Sequence, residues 1–126
     1  MIVGIGTDIC DIRRIEKSID KYGDRFLSRI FTDHERDYCE SKSGKAAYYA
    51  KRFAAKEAVA KALAGVNTGS LSWHDVEVRN DPSGRPGIEL LGKAAQRVEK
   101  LNNPYVQLSL SDDYPYAIAF AIVEAR

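Results

Sequence analysis

An acidic residue follows two closely spaced glycines near the start of the chain, in the segment Gly4-Ile5-Gly6-Thr7-Asp8. A carboxylate at the end of a strand, beside a backbone that glycine opens to close approach, suits a metal ion or a metal-bound phosphate. Asp is also a preferred N-cap, and from Asp8 alone the capping of a following helix is the stronger interpretation. Gly4-x-Gly6 lacks the third glycine of a dinucleotide-binding fingerprint and therefore adds little.

A second candidate lies in the alanine-rich segment 46–64, where Glu57 and Lys61 stand four residues apart. This spacing places both side chains on one helical face, with the acid in the favourable leading position. Phe53 and Ala54 precede them by one turn and normally point inward, so the pair is expected at the border of the apolar surface. Two interpretations stay open: a surface ion pair worth on the order of a few tenths of a kcal/mol, or a magnesium carboxylate with a lysine for phosphate.

Basic residues recur every four positions between these two candidates and form a stripe along one side of the early helical region. Its default role is a solvated helix face, and its more specific role is docking of an acidic partner, because charge steering raises association rates. Nucleic acid is a third alternative, but no aromatic residues interleave with the stripe for base stacking. The basic stripe comprises Arg13, Lys17, Lys21, Arg25 and Arg29, with Arg14 beside it.

The composition narrows the class of protein. The 126 residues predict a single domain over 1–126. With 19 Lys and Arg against 18 Asp and Glu, bulk charge does not favour nucleic acid. Two cysteines are too few for a disulfide scaffold and are expected to be reduced. No secretory pattern opens the chain, and no apolar run approaches the roughly 20 residues of a membrane helix. We therefore expect a soluble cytoplasmic protein without a membrane partner.

The helical signals surround the candidate residues. Gly23 is expected to end the first helix and Gly65 the longest one, because glycine suits the position after a helix C-terminus. Thr32 and Glu35 form the Thr-x-x-Glu pattern of a capping box. Periodicity and composition predict helices over residues 9–22, 32–40, 46–64 and 92–101, with a short helical turn near 26–30.

Alternating apolar residues predict strands over residues 2–7, 73–79, 88–91, 106–110 and 116–124, with loops at 66–72 and 111–115. In the last strand, Ala117, Ala119 and Ala121 share one face, while isoleucine and phenylalanine occupy the other. A strand that is apolar on both faces is covered on both. Either the alanine face lies under the long helix or it lets a second copy of the chain approach closely. Because helices and strands mix without strict alternation, the predicted class is α+β, with a mainly antiparallel sheet packed on a long helix.

Five motifs combine these candidates in a fixed order, although each is weak alone. They are Gly4-Ile5-Gly6-Thr7-Asp8-Ile9, Phe31-Thr32-x-x-Glu35, Arg52-Phe53-Ala54-Ala55-Lys56-Glu57-Ala58-x-x-Lys61-Ala62, Asn80-Asp81-x-x-Gly84-Arg85-Pro86 and Ser109-Leu110-Ser111. Across essentially the whole chain, this set resembles the signatures of the holo-[acyl carrier protein] synthases, the short class of 4′-phosphopantetheinyl transferases. The resemblance implies the α+β fold of that family and a homotrimer with active sites between adjacent subunits.

The resemblance also implies a reaction and its residues. The 4′-phosphopantetheine arm of coenzyme A moves to a serine of apo acyl carrier protein, with release of adenosine 3′,5′-bisphosphate, for fatty acid biosynthesis. By position, Asp8 and Glu57 are implied as Mg²⁺ ligands, Lys61 as a catalytic and pyrophosphate-binding residue, and Arg52 and Lys56 as contacts to coenzyme A phosphates. Glu57 is the candidate acceptor of the serine proton, directly or through a metal-bound water.

An acidic carrier protein would also give the basic stripe a partner, at Arg13, Arg14, Lys17, Lys21 and Arg25. The alternative function is a non-catalytic module that docks acidic proteins through the same stripe. One departure concerns Asp112, which stands after Ser-x-Ser where many family members carry His, and Asp113 follows it. A carboxylate cannot repeat the contacts of a histidine ring beside phosphates, so the coenzyme A contacts of this turn stay open.

Overall fold

The computed structural model describes residues 1–66 and 70–126, so the loop predicted over residues 66–72 lies partly outside the described residues. Helices and antiparallel strands confirm the predicted α+β class. In the described ranges no helix is long and apolar enough to cross a bilayer. The elements are β1 (Ile2–Asp11), α1 (Ile12–Tyr22), α2 (Asp24–Ile30), α3 (Asp33–Glu40), α4 (Lys45–Leu63), a 3-10 turn (Trp73–Asp75), β2 (Val76–Asn80), β3 (Pro86–Leu90), α5 (Gly92–Arg97), β4 (Tyr105–Asp113) and β5 (Tyr116–Glu124).

Two antiparallel sheets form the β layer. The larger has the strand order β1-β5-β4, so that the apolar strand β5 is central. The smaller is a hairpin of β2 and β3, in which Val78 pairs with Ile88. The turn between β4 and β5 is confined to Tyr114 and Pro115, because both strands extend to the tip of their hairpin and pair Asp113 with Tyr116.

The long helix α4 packs directly on the larger sheet through small residues. A Cβ atom added at Gly4 would lie 1.9 Å from the carbonyl oxygen of Ala62, and one added at Gly6 would lie 1.9 Å from that of Ala58. The alanines of β5 are fully buried on this face. Both glycines are therefore required because the helix backbone touches β1 there. The alanine face lies under the long helix. The alternative prediction, that this face contacts a second copy of the chain, is therefore wrong.

The opposite face of the same sheet is uncovered in the single chain. Ile5 and Ile9 of β1 lie beside Ile118 and Phe120 of β5, and each of these side chains is at least 40% exposed. Contiguous apolar surface of this kind marks an interaction site in soluble proteins. The sheet thus presents isoleucine and phenylalanine, not alanine, to whatever covers it.

The first helix begins later than its periodicity predicts. β1 continues to Asp11, whose carboxylate accepts a hydrogen bond from the backbone N–H of Arg13 at 3.0 Å and caps α1. Asp8 therefore lies inside a strand, and its interpretation as the N-cap is wrong. Pairing of β1 with the long strand β5 explains the difference, because that contact holds Ile9 extended despite its helical spacing. Gly23 ends α1 with a φ of 57°, as predicted.

Candidate active site

Asp8 and Glu57 face one cleft between β1 and α4. Successive strand residues point to opposite faces, so Asp8 shares the face of Gly4 and Gly6 and points towards α4. Glu57 precedes Ala58, the residue that touches Gly6. The cleft has a volume of about 370 Å³, and its lining includes both carboxylates together with Arg14. The close packing of strand and helix therefore brings together two acids that are 49 positions apart in the sequence.

The electrostatics of the cleft show that the two acids interact. Burial raises the pKa of Glu57 above its ordinary value, and the charge of Asp8 raises it further, while Lys61 opposes both effects. A partly dehydrated carboxylate beside a second carboxylate favours a proton or a cation. The cleft is thus suited to hold positive charge.

Lys61 supplies one such charge from the next turn of α4. Its Nζ donates to the backbone carbonyl of Thr7 at 2.9 Å and to Oδ1 of Asp8 at 3.2 Å. The lysine side chain is 55% exposed, so it remains in contact with solvent beside Asp8. This geometry combines two carboxylates and an ammonium group in one place.

The donor set fits a magnesium ion. Mg²⁺ binds one or two protein carboxylates and completes its octahedron with water and phosphate oxygens. Asp8 and Glu57 could offer two hard oxygen ligands, and within the described ranges no group of three or more His, Cys, Asp and Glu residues could form a closed metal cage. An open site of two carboxylates suits an ion shared with a phosphate substrate more than a structural zinc ion.

Lys56 lies in the protein interior, and its expected contact with a coenzyme A phosphate stays a prediction. It is 2% exposed, and its Nζ donates to the carbonyl oxygens of Trp73 at 2.8 Å and Val76 at 2.6 Å. Oε1 of the fully buried Glu35 lies 2.8 Å from the same Nζ. Burial lowers the pKa of Lys56, and Glu35 opposes that effect. Because its donors are used internally, Lys56 joins α4 to α3 and the hairpin.

Glu35 is the buried partner that the capping-box pattern did not reveal. The box is present, since Thr32 and Glu35 exchange their side-chain and backbone hydrogen bonds as predicted. Beyond the cap, Oε2 of Glu35 accepts from the backbone N–H of Val78 at 2.7 Å. The sequence around Lys56 gives no signal for its contact with Glu35, because the two residues lie in different helices.

Arg52 is also buried and lies away from the cleft. Its Nη2 donates to Oδ1 of Asn80, and its guanidinium group lies 4.0 Å from the ring centre of Tyr38. Its Nε has no hydrogen-bond partner in the described part of the chain. A contact between Arg52 and coenzyme A stays a prediction.

The basic stripe is divided between two helices. Gly23 separates α1 from α2, so Arg25 and Arg29 continue on a second axis and line a hollow of about 410 Å³ with Tyr22 and Phe26. Every residue of the stripe is exposed. Arg13 differs from the others, because it forms a two-point ion pair with Asp11, with its Nη2 2.7 Å from Oδ2.

A model of the 4′-phosphopantetheinyl transferase superfamily matches residues 4–119. The chain belongs to this family. The holo-[acyl-carrier-protein] synthase of Maricaulis maris is 47% identical over 100% of this chain and 92% of its own length. The enzyme of the same name from Phenylobacterium zucineum is 50% identical over 99% of this chain and 94% of its own length.

Solved structures of the transferase family share the fold. The holo-[acyl-carrier-protein] synthase of Neisseria meningitidis superposes with a TM-score of 0.86 at 35% identity, covering 98% of this chain and 99% of its own. The corresponding protein of Bacillus anthracis, in complex with CoA (3′,5′-ADP), superposes with a TM-score of 0.80 at 36% identity. The match covers 100% of this chain and 99% of that protein. The Helicobacter pylori protein in complex with coenzyme A superposes with a TM-score of 0.81 at 32% identity. The match covers 95% of this chain and 99% of that protein. The predicted family, fold and enzyme class are confirmed.

Asp112 has an internal partner in this transferase. It lies within β4 and not in the predicted turn, and its Oδ1 is 2.9 Å from Nζ of Lys51 on α4. Asp113, the next residue, pairs with Tyr116 at the end of the hairpin. Lys51 therefore offsets the charge that distinguishes this position from a histidine, and the contacts of both acids with coenzyme A stay open.

Proposed function

We propose that the cleft of Asp8, Glu57 and Lys61 transfers the 4′-phosphopantetheine arm of coenzyme A to a serine of apo acyl carrier protein. The observation that carries this assignment is the convergence of two interacting carboxylates and a lysine, in a chain of the 4′-phosphopantetheinyl transferase superfamily. The reaction forms a bond between the serine Oγ and the phosphorus next to the arm. The bond from that phosphorus to the bridging oxygen breaks, and adenosine 3′,5′-bisphosphate leaves.

In this proposal Asp8 and Glu57 hold Mg²⁺, which when bound neutralises charge on the pyrophosphate. Lys61 binds a phosphate oxygen through its exposed ammonium group, which lies beside Asp8. Glu57 accepts the proton of the attacking serine hydroxyl, directly or through a metal-bound water. Asp8 and Glu57 thus share the metal ion, Glu57 also takes the serine proton, and Lys61 binds phosphate.

The transfer assay is mass spectrometry of apo acyl carrier protein after incubation with coenzyme A and Mg²⁺. The wild type is expected to add the arm, and Asp8→Asn and Glu57→Gln are each expected to lower the rate about 100-fold or more, since metal-held charge contributes several kcal/mol to phosphoryl transfer. The exposed Glu99→Gln is the matched control. Folding of each variant is checked by circular dichroism. Normal turnover by both cleft variants would overturn the assignment.

The same experiment separates the enzyme from the alternative docking module. A non-catalytic module would bind the carrier protein without coenzyme A and would leave the carrier mass unchanged. The exposed basic residues Arg14, Lys17, Lys21 and Arg25 support docking of the acidic carrier in either case. Arg14 also lines the cleft, so a carrier bound to the stripe would lie next to the carboxylates.

We also propose that the chain assembles as a homotrimer, with further copies covering the exposed face of Ile5, Ile9, Ile118 and Phe120. Burial of such a face contributes roughly 25 cal/mol per Å² of apolar area. Strand β5 is central and apolar on both faces. A strand of this kind is normally covered on both faces, which supports the proposal. Sedimentation equilibrium at micromolar concentration is expected to give three times the chain mass, and a monomeric mass would contradict it.

A cytoplasmic location, away from membranes and nucleic acid, completes the proposal. Cys10 and Cys39 are both free and buried. Burial raises the pKa of the Cys10 thiol to about 11 and that of the Cys39 thiol to about 12. Such thiols are inert and need no pairing, which agrees with a reducing compartment. Detection of the native protein in a periplasmic fraction would contradict this location.

A further inference from the structure

Lys61 already occupies the carboxylate that the proposed function assigns to the metal. Its Nζ lies 3.2 Å from Oδ1 of Asp8 and 2.9 Å from the carbonyl oxygen of Thr7. An ammonium group has three N–H donors, and these two contacts use two of them. The lysine is therefore both the counter-ion of Asp8 and a solvent-facing cation at the edge of the cleft.

This arrangement opposes binding of a divalent cation on its own. An incoming cation must either share Asp8 with Lys61 or displace it, and in both cases it approaches an existing positive charge. The nearby positive charge of Lys61 also partly offsets the rise in the pKa of Glu57, so its field reaches the second carboxylate. A cation bound to Asp8 would lie within a few Å of the Lys61 ammonium group, and like charges that close repel measurably even with partial screening by water.

A pyrophosphate group reverses the sign of this effect. Its oxygens attract Lys61 through charge-assisted hydrogen bonds, which are stronger than neutral ones. The contact with Thr7 is to the main chain of β1 and can persist while Nζ turns from Asp8 towards a phosphate oxygen. The carboxylate of Asp8 is then released to the cation, and the remaining positive charges are matched by the phosphates.

We infer that Lys61 is an internal counter-ion that holds Asp8 until a pyrophosphate-bearing substrate draws it away, so that binding of the divalent cation depends on binding of coenzyme A. This inference rests on the proposed function, since it takes Asp8 and Glu57 as the cation ligands. It adds a role for Lys61 before the reaction starts, besides its contact with phosphate during transfer.

The test measures Mn²⁺ binding by electron paramagnetic resonance, with and without saturating coenzyme A, after subtraction of Mn²⁺ bound by coenzyme A alone. Mn²⁺ is a suitable probe because it favours the same carboxylate and water ligands as Mg²⁺. The variants are Lys61→Gln, which removes the charge, and Lys61→Arg, which keeps it. Lys45→Gln is the matched control, because Lys45 lies on the same helix and forms a similarly exposed ion pair with Glu40 at 3.1 Å.

Without coenzyme A, Lys61→Gln is expected to bind Mn²⁺ about two- to fivefold more tightly than the wild type, the range that one exposed ion pair supplies. With coenzyme A this advantage is lost or reversed, because the variant lacks the phosphate contact. Lys61→Arg and Lys45→Gln should resemble the wild type. Tighter binding in Lys61→Gln alone is therefore specific to the charge beside Asp8.

The unfavourable outcomes are distinguishable. If the wild type binds Mn²⁺ but Lys61→Gln binds it equally or more weakly in the absence of coenzyme A, the inference about Lys61 is wrong and the proposed function stands. If neither coenzyme A nor Asp8→Asn alters Mn²⁺ binding by the wild-type protein, the metal assignment fails and the inference fails with it.

Discussion

Lys56 and Glu57 are neighbours on α4, yet they belong to two different charge clusters. Lys56 points into the protein, where the carboxylate of Glu35 and two backbone carbonyls surround its ammonium group. Glu57 points into the cleft, where Asp8 and the half-exposed Lys61 are its charged neighbours. The inner cluster, Lys56 and Glu35, has all its partners within the chain. The outer cluster, Asp8, Glu57 and Lys61, has one more negative than positive group and is open to a ligand.

This difference separates stabilisation from binding. A buried charge requires a partner and hydrogen bonds, because its desolvation is otherwise unfavourable by several kcal/mol. The inner cluster meets that requirement and connects three elements, α3, α4 and the segment leading into β2. The outer cluster leaves part of its charge unmatched, as a site for a cation and an anionic substrate must. Removing inner charges should therefore affect folding, and removing outer charges should affect binding.

The largest expected effect is on the inner cluster. Lys56→Met leaves Glu35 charged and buried without its cation, which should lower the free energy of unfolding by about 3–5 kcal/mol. Urea denaturation followed by circular dichroism measures this change. Lys45→Met, which breaks an exposed ion pair on the same helix, should cost about 1 kcal/mol or less. Equal losses in the two variants would contradict the distinction between inner and outer charges.

The local parts of both clusters are predictable from the sequence. The capping box at Thr32 and Glu35 was found from its pattern, and the four-residue spacing placed Glu57 and Lys61 on one face. These signals depend on neighbouring residues and on helix geometry alone. The sequence therefore identified the helices that carry the charges and the position of the candidate acids on them.

The long-range parts required the fold. Lys56 and Glu57 are both charged residues in an alanine-rich helix, and only the packing of α4 on the sheet and the hairpin decides which one is buried. Asp8 likewise remained a candidate N-cap until pairing with β5 extended β1 to Asp11. The fold also decides which apolar face of β5 lies under α4, because alternation in the sequence defines the two faces but not what covers them.

An effect of intermediate size is expected for the basic stripe, whose charges are exposed. The double variant Arg14→Asp/Arg25→Asp should raise the KM for acyl carrier protein about tenfold, because two exposed charge contacts become repulsive, and should change the KM for coenzyme A less. The free energy of unfolding should stay within about 0.5 kcal/mol of the wild type. Lys100→Asp, which changes an exposed charge outside the stripe, is the control for net charge. Equal increases in both KM values would contradict a docking role.

The smallest expected effect concerns a third charged site, which joins the end of α3 to the start of α4. The hydroxyl group of the buried Tyr49 donates to Oε2 of Glu40 at 2.6 Å, and Lys45 lies 3.1 Å from Oε1. These contacts lower the pKa of Glu40 below its ordinary value, with the Tyr49 hydrogen bond as the main cause. Glu40 is itself nearly half exposed, so water screens part of the interaction.

Tyr49→Phe tests whether this hydrogen bond stabilises the fold through the charge of Glu40. A carboxylate with a lowered pKa in the folded state adds stability above its unfolded pKa, and that stability is lost as the pH falls through the folded pKa. The variant should therefore be less stable than the wild type by about 1 kcal/mol at pH 7. The difference should shrink as the pH falls below the ordinary pKa of a glutamate, because Glu40 then takes up its proton. Urea denaturation of both proteins between pH 7 and pH 3 measures it. A difference that is independent of pH would instead assign the loss to packing of the tyrosine ring, and Glu40 would then join the exposed charges that do not hold the fold.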